Sequence, residues 1–359
     1  MPRIEFKSVT KTYPDGTPAV VDLNLDIKDG EFLCLLGPSG CGKSSTIRVL
    51  AGLEQASAGA ILADGKRIDH LPTQARDCAM VFENYALYPH LTAFDNIAMP
   101  LRARRLPEQQ VKERVTNVAR LLRIEPLLAR RPGRLSGGER QRVGIGRALV
   151  REPAVFLMDE PLGHLEAYFR VELRAEIRRL QERLRITTIY VTHDQDEAAA
   201  VADRIVVMNA GRLQQTGPFL DLFDRPVNRF VAQFVGEPPM VFLPVERVAA
   251  NSIAVAGIPM PLTEPLAAAL QSTGDSTLTL GIRPRDISVA PPAPDRLRGE
   301  VTLVQPQGEH AIVVLTTPVG PASVIVPSDR RPSEKEVLGL VFASEGLHLF
   351  ESAGNSVLQ

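Results

Sequence analysis

Four short stretches hold the residues whose types and spacing could do chemistry. Gly37-Pro38-Ser39-Gly40-Cys41-Gly42-Lys43-Ser44-Ser45 follows the apolar run Phe32-Leu33-Cys34-Leu35-Leu36 and precedes a helical pattern. This is G-x-x-x-x-G-K-[ST]: its glycines let backbone N–H groups turn inward around a phosphate, and the helix N-terminus adds its dipole. Lys43 is placed to reach β- and γ-phosphates, and the Ser44 hydroxyl to ligate Mg²⁺. A second apolar run, Val155-Phe156-Leu157-Met158, ends in Asp159-Glu160. Asp159 is then the strand-end acid that holds Mg²⁺, and Glu160 the candidate to polarise an attacking water. A third run, Tyr190-Val191-Thr192, ends in His193. A lone histidine is more often structural, but at a strand end beside such acids it can hydrogen-bond a γ-phosphate oxygen without titrating. The fourth stretch, MVFENYALYPH (80–90), ends an apolar run abruptly at Glu83. Its residues leave three roles open for Glu83: catalytic base, metal ligand or solvated loop acid.

These residues need a scaffold that brings strand ends together. Residues 4–6 and 20–25 alternate as half-buried strands, whereas 32–36, 154–158, 188–191 and 205–208 are continuously apolar, as strands buried on both faces should be. Helical stretches lie between them at Thr46–Leu53, Gln109–Leu122, Gln141–Val150 and Ala167–Leu184. Strands alternating with helices predict an α/β fold with a mostly parallel sheet covered on both sides. Residues 84–151, richer in helix and charge, are expected to form a helical insert. The texture changes around Gly236-Glu237-Pro238-Pro239. Beyond it, short alternating strands separated by Pro/Gly breaks, with little helical pattern, predict an all-β region of small barrels. The expected domains are therefore 1–235 and 236–359.

Composition narrows the class. The chain has 359 residues, 44% hydrophobic and 23% charged, with a formal net charge of -1, so no overall field favours nucleic acid or an anionic membrane. Its three cysteines (Cys34, Cys41, Cys78) form no C-x-x-C pair, which argues against a disulfide framework or zinc site and fits a reducing cytoplasm. No apolar run approaches the ~18 residues that span a bilayer. Work at a membrane would require other chains.

Leu135-Ser136-Gly137-Gly138-Glu139-Arg140-Gln141, before a helix, completes a set with the phosphate loop, the Asp159-Glu160 strand and the His193 strand. In this order the set resembles the ATP-binding subunit of ABC transporters. Tyr13 matches the aromatic that stacks on adenine in that family. NYALYPH, FVGEPPM, Gly281-Ile282-Arg283-Pro284 and Leu347-His348-Leu349-Phe350 look like the maltose and glycerol-3-phosphate importer subgroup, whose C-terminal domain is built of oligonucleotide-binding-type (TOBE-like) barrels. The resemblance implies a P-loop ATPase with Mg²⁺ that powers uptake of a sugar or sugar-like polyol. It implies nucleotide contacts from Tyr13, Gly37, Ser39, Gly40, Cys41, Gly42, Lys43, Ser44, Ser45, Glu83, Ser136, Gly137, Gly138 and Glu139, metal contacts from Ser44, Glu83 and Asp159, and catalysis by Lys43, Glu160 and His193. The implied partners are a second copy sandwiching two ATP molecules, two transmembrane permeases and, indirectly, an extracytoplasmic solute-binding protein, at the cytoplasmic face of the membrane. The tail lacks a basic stripe interleaved with aromatics, so nucleic acid is not an expected partner. The rival readings are a non-transport ABC ATPase and a regulatory subunit with negligible turnover.

The resemblance has departures. Glu83 stands where the family has glutamine, Glu139 where the signature ends in glutamine, and Glu166 where an aspartate touches the partner subunit; Gly163 and His164 replace the common Ser and Asn. Glu166 is expected to retune the coupling of dimer closure to hydrolysis. Glu83 then reads as a metal-facing sensor rather than a base, because Glu160 already fills that role.

Overall fold

The computed structural model describes residues 2–163, 167–273, 275 and 277–358. His164 and Glu166, and with them the expectation for dimer coupling, lie outside the described residues. The chain divides into two compact units, Met1–Phe219 and Leu220–Gln359.

The first unit opens with β1 (Ile4–Thr12), β2 (Pro18–Ile27), β3 (Phe32–Leu36), α1 (Lys43–Ala51), β4 (Ala58–Ala63), β5 (Lys66–Arg67) and β6 (Cys78–Val81). Helices α2 (Ala93–Ala103), α3 (Glu108–Leu121) and α4 (Gly137–Leu149) follow. It closes with β7 (Val155–Asp159), α5 (Ala167–Leu184), β8 (Thr187–Thr192), α6 (Gln195–Val201), β9 (Arg204–Asn209) and β10 (Arg212–Gly217).

The central sheet has the order β10-β9-β3-β8-β7-β6. All its pairs are parallel except β9 with β10. Every residue of β3, β7 and β8 is buried, which is why their sequences carry no polar alternation. Parallel register sets the level of the strand ends: Leu36 lies beside Thr192, Asp159 beside Val191 and Val81 beside Met158. The phosphate loop, Asp159-Glu160, His193 and Glu83 thus leave one edge of one sheet, where adjacent strands are only about 5 Å apart. A second, antiparallel sheet, β2-β1-β4-β5, turns Ile4, Phe6, Leu23, Leu25 and Ile61 inward against α1 and β3. Strand β6 ends at Val81, one residue earlier than the apolar run suggests.

Helices α2, α3 and α4 have a core of their own around Ile97, Leu101, Val111, Val115 and Val143. Helix α4 begins four residues before the apolar periodicity does, because Ser136 and Glu139 form a capping box that starts it at Gly137.

In the second unit α7 (Phe219–Asp224) and α8 (Arg229–Phe234) lead into β11 (Val241–Ala249), β12 (Ser252–Val255), β13 (Ile258–Pro261) and α9 (Glu264–Ser272). Then come β14 (Leu278–Ile282), β15 (Ile287–Ala290), β16 (Leu297–Gln307), β17 (His310–Thr317), β18 (Gly320–Pro327), β19 (Val337–Phe342) and β20 (Leu347–Phe350). They build two five-stranded antiparallel sheets, β13-β12-β11-β14-β20 and β15-β19-β16-β17-β18, around a shared aliphatic core that includes Leu243, Leu280, Val313 and Leu349.

The division of the two compact units falls at 219/220. The buried Arg283 guanidinium donates to the carbonyls of Phe223, Ala232 and Val235 and ties that segment to the second unit. The region also contains α9, whose Leu266, Ala267 and Leu270 face the core. Its short Glu-Pro-Leu-Ala-Ala-Ala-Leu run, with Pro265 in the first turn, is a helix start that the strand-rich surroundings hide.

Candidate nucleotide site

The phosphate loop is held open by backbone geometry that only glycine meets. Gly42 has φ +104, and a Cβ there would lie 2.1 Å from the Ala19 carbonyl oxygen. Gly40 has φ +77, with open space where its Cβ would be. Gly42 also caps α1 without any side-chain hydrogen bond, so no side chain competes for the first-turn N–H groups. Lys43 is buried, its Nζ donating to the Gly37 and Pro38 carbonyls at 2.8 and 2.9 Å. The chain of the loop is thereby wrapped around the ammonium. Cys41 is buried beneath it, and Ser39 is exposed. All three cysteines are free and buried.

Ser44 and Asp159 meet across β3 and β7: the Ser44 hydroxyl donates to Asp159 Oδ1 at 2.7 Å. Burial pushes the Asp159 carboxyl above its ordinary pKa; the Ser44 hydrogen bond and Arg48 oppose that, while the charges of Glu160 and Glu83 add to it. Glu83 is exposed at the end of β6, yet close enough for its charge to be felt at Asp159. Glu160 takes φ +45, a costly conformation for a residue with a side chain, and its N–H donates to the Val191 carbonyl at 3.0 Å. That twist aims its carboxylate at His193, whose Nδ1 lies 3.1 Å from Glu160 Oε2.

Tyr13 is drawn to the same edge. Its hydroxyl lies 3.0 Å from Ser45 Oγ and donates to Glu54 Oε1 at 3.2 Å, and Lys11 Nζ sits 5.1 Å from its ring centroid. The Ser136–Gly138 turn stands apart: among the described residues no hydrogen bond joins it to the phosphate loop. Glu139 caps α4: its Oε2 accepts from the Ser136 N–H at 2.7 Å while Ser136 Oγ accepts from the Glu139 N–H at 3.2 Å. The S-x-x-E spacing announces that box in the sequence.

Residues behind the site carry no sequence motif. Glu197 is 3% exposed and accepts from the Tyr190 and Thr192 hydroxyls, each at 2.9 Å. Burial raises its pKa. Asp194 caps α6 by accepting from the Asp196 and Glu197 N–H groups, which fixes the chain on both sides of His193.

The family model described as ABC transporter matches residues 20–163, and that of the TOBE domain matches 280–350. The sn-glycerol-3-phosphate import ATP-binding protein UgpC of Chromohalobacter salexigens is 43% identical over 99% of this chain and 96% of its own length. The chain is an ATP-binding subunit of the ABC transporter family. The trehalose/maltose import ATP-binding protein MalK of Thermococcus litoralis is also 43% identical, over 98% of both chains. Among solved structures, the dimeric MJ0796 bacterial ABC transporter cassette is 31% identical with a TM-score of 0.55, covering 60% of this chain and 98% of that one. A post-hydrolysis form of the same cassette, bound to ADP and Pi, is 29% identical with a TM-score of 0.54. As a member of this family the chain is an ATPase, its nucleotide-binding fold followed in sequence by a TOBE domain of β-sheets.

Proposed function

We propose that this subunit hydrolyses ATP to drive import of a sugar, polyol or polyol phosphate, as a homodimer with an ATP sandwiched at each of two interfaces. The observation that carries the reading is the convergence of Lys43, Ser44, Asp159, Glu160 and His193 on one sheet edge, in a chain whose full length follows importer subunits. Relatives named for glycerol-3-phosphate, for trehalose and maltose, and for osmoprotective compounds are 43%, 43% and 46% identical. Such even similarity follows the motor rather than any one cargo.

In this reading the inward N–H groups of residues 37–44 and Lys43 hold the phosphates, and Tyr13 stacks on adenine. Glu160, oriented by His193, accepts a proton from the attacking water. The partner's Ser136–Gly138 turn meets the γ-phosphate across the dimer. The donor set fits Mg²⁺: Ser44 Oγ and Asp159 offer hard oxygens 2.7 Å apart, and among the described residues no cluster of three His, Cys, Asp or Glu could hold a metal unaided. An ion that shares its shell with phosphate and water suits such a site. Bound there, it would neutralise charge on the phosphoryl oxygens. The Glu83 charge is felt at Asp159, and Glu83→Gln is expected to keep hydrolysis while weakening its dependence on Mg²⁺ concentration; an unchanged Mg²⁺ titration would remove Glu83 from the metal site.

Permease contact fits a groove of about 340 Å³ between β6 and the helical insert, lined by Phe82, Tyr88, Met99 and Arg147. Tyr88 and Met99 are 39% and 38% exposed, so the groove presents large apolar side chains to a partner. Arg147 donates to the Tyr85 and Ala86 carbonyls, coupling the groove to the segment after Glu83. Among the described residues no helix is long and apolar enough to cross a membrane, which suits a peripheral subunit on the cytoplasmic face, served from outside by a solute-binding protein. The test is affinity purification from membranes. Two permeases that co-purify and support uptake of glycerol-3-phosphate or an oligosaccharide carry the reading; association with ribosomes or DNA refutes it.

A further inference from the structure

A cavity of about 220 Å³ opens between the end of α3, α4 and α5, away from the nucleotide edge. Its floor is aliphatic: Ile145, Leu173, Ile177 and Leu180 are at most 9% exposed. Its rim carries the guanidiniums of Arg123, Arg142, Arg179 and Arg183 against the single carboxylate of Glu176. Arg142 Nη2 donates to Glu176 at 3.1 Å, but its Nε is buried with no hydrogen-bond partner. Arg123, Arg179 and Arg183 form no ion pair among the described residues. Arg179 and Arg183 are also one helical turn apart on α5, a like-charge spacing that destabilises a helix unless something neutralises it. An apolar floor under a rim of four cations and one carboxylate asks for one kind of molecule.

We propose that this cavity binds a small amphipathic anion: a carboxylate or phosphate monoester on a compact hydrocarbon or aromatic body. An apolar cavity of about 150 Å³ accepts benzene, so this one takes a body larger than a single ring. Its head group accepts from Arg142 Nε and from the rim guanidiniums, in the planar geometry that arginine offers to carboxylates and phosphates. A cation is repelled, and an uncharged sugar gains nothing from the floor. The site lies where two functional helices face each other. Helix α4 starts at the Ser136-Gly137-Gly138 turn, and α5 follows the Asp159-Glu160 strand end in sequence. The Arg142–Glu176 bond spans these two helices, and an anion that competes for Arg142 loosens that bond while bridging them itself. Occupancy therefore bears on how the helical insert moves against the nucleotide core.

Calorimetric titration of the full chain with octanoate, octyl phosphate and octyltrimethylammonium tests this. The expected result is saturable 1:1 binding of one or both anions and none of the cation. The phosphate and carboxylate arms tell which head group the rim prefers. Arg179→Glu combined with Arg183→Glu, at surface positions that leave the core intact, is expected to weaken binding roughly tenfold or more, as loss of charged hydrogen-bond donors should. Arg123→Glu, on a different element, should weaken it in the same direction. Absence of saturable anion binding, equal binding of the cation, or affinity unchanged in both variants overturns the proposal.

Discussion

Two of the buried cations, Lys43 in the first unit and Arg283 in the second, are held in the same way and yet prepared for opposite fates. Lys43 and Arg283 are 4% and 2% exposed, neither forms an ion pair among the described residues, and both donate to backbone carbonyls. Lys43 holds the carbonyls of its own loop on a flexible stem, so a phosphate can displace two neutral acceptors and take the ammonium for itself. Arg283 is a rigid fork locked to the three carbonyls of Phe223, Ala232 and Val235, with its charge 4.1 Å from the Phe223 ring centroid. Burial lowers its pKa to about 10, which leaves it charged at neutral pH. A buried cation that closes on its own loop is a reserve for a ligand, whereas one that closes on distant chain is a fastener. Helix starts divide likewise: α1 has no side-chain cap, and α4 has a complete capping box.

The largest effect should come from the site itself. Glu160→Gln is expected to lower kcat by about 10²–10⁴ while ATP still binds, as removal of a general base does; normal turnover would reassign the base. Exchanging the two cations for methionine sharpens the contrast directly. Lys43→Met should cost nucleotide affinity on the order of a hundredfold, since a charged hydrogen-bond donor is lost, with little change in melting temperature. Arg283→Met should do the reverse, destabilising the second unit by about 3 kcal/mol because three carbonyls lose their donor, with nucleotide affinity unchanged. Nucleotide titration and thermal melts of both variants decide, and equal effects on both readouts would dissolve the distinction.

A pH effect follows from the neighbourhood of Arg283. Burial, and then the Arg283 charge, hold the His348 imidazole down at about 4. Between pH ~6.5 and ~4 the unfolded chain binds a proton that the fold refuses, so stability falls as pH drops through that window and levels off below it. The loss is of the order of 2–3 kcal/mol for a histidine so placed, and His348→Gln should flatten the profile of acid melts. The smallest effect belongs to the capped helix. Ser136→Ala should cost about 1 kcal/mol of stability, while Glu139→Gln, which keeps an acceptor for the Ser136 N–H, should cost less; a melt insensitive to Ser136→Ala would deny the box.

The spacing of residues 37–45 and the acids closing the run Val155–Met158 were legible because each depends on neighbours in the chain. So was the parallel sheet, since a strand buried on both faces has no polar residue to hide. The S-x-x-E spacing of Ser136 and Glu139 likewise spells the cap of α4 within four residues. The attachment of segment 220–235 is not legible locally, because it is made by a guanidinium 48 to 60 residues away.

What the linear order determined is which groups stand at strand ends and helix starts, since periodicity and capping act over three or four residues. Tertiary structure alone decided which of those ends meet. The register of β3, β7 and β8 brings Ser44 to Asp159 and Glu160 to His193, across 115 and 33 residues of chain. It also decided that Arg283 is a fastener and that four arginines, from α4, α5 and the turn after α3, line one apolar cavity. Local pattern carries the type of a side chain and the face it lies on; only packing of distant elements sets what lies within hydrogen-bond reach of it.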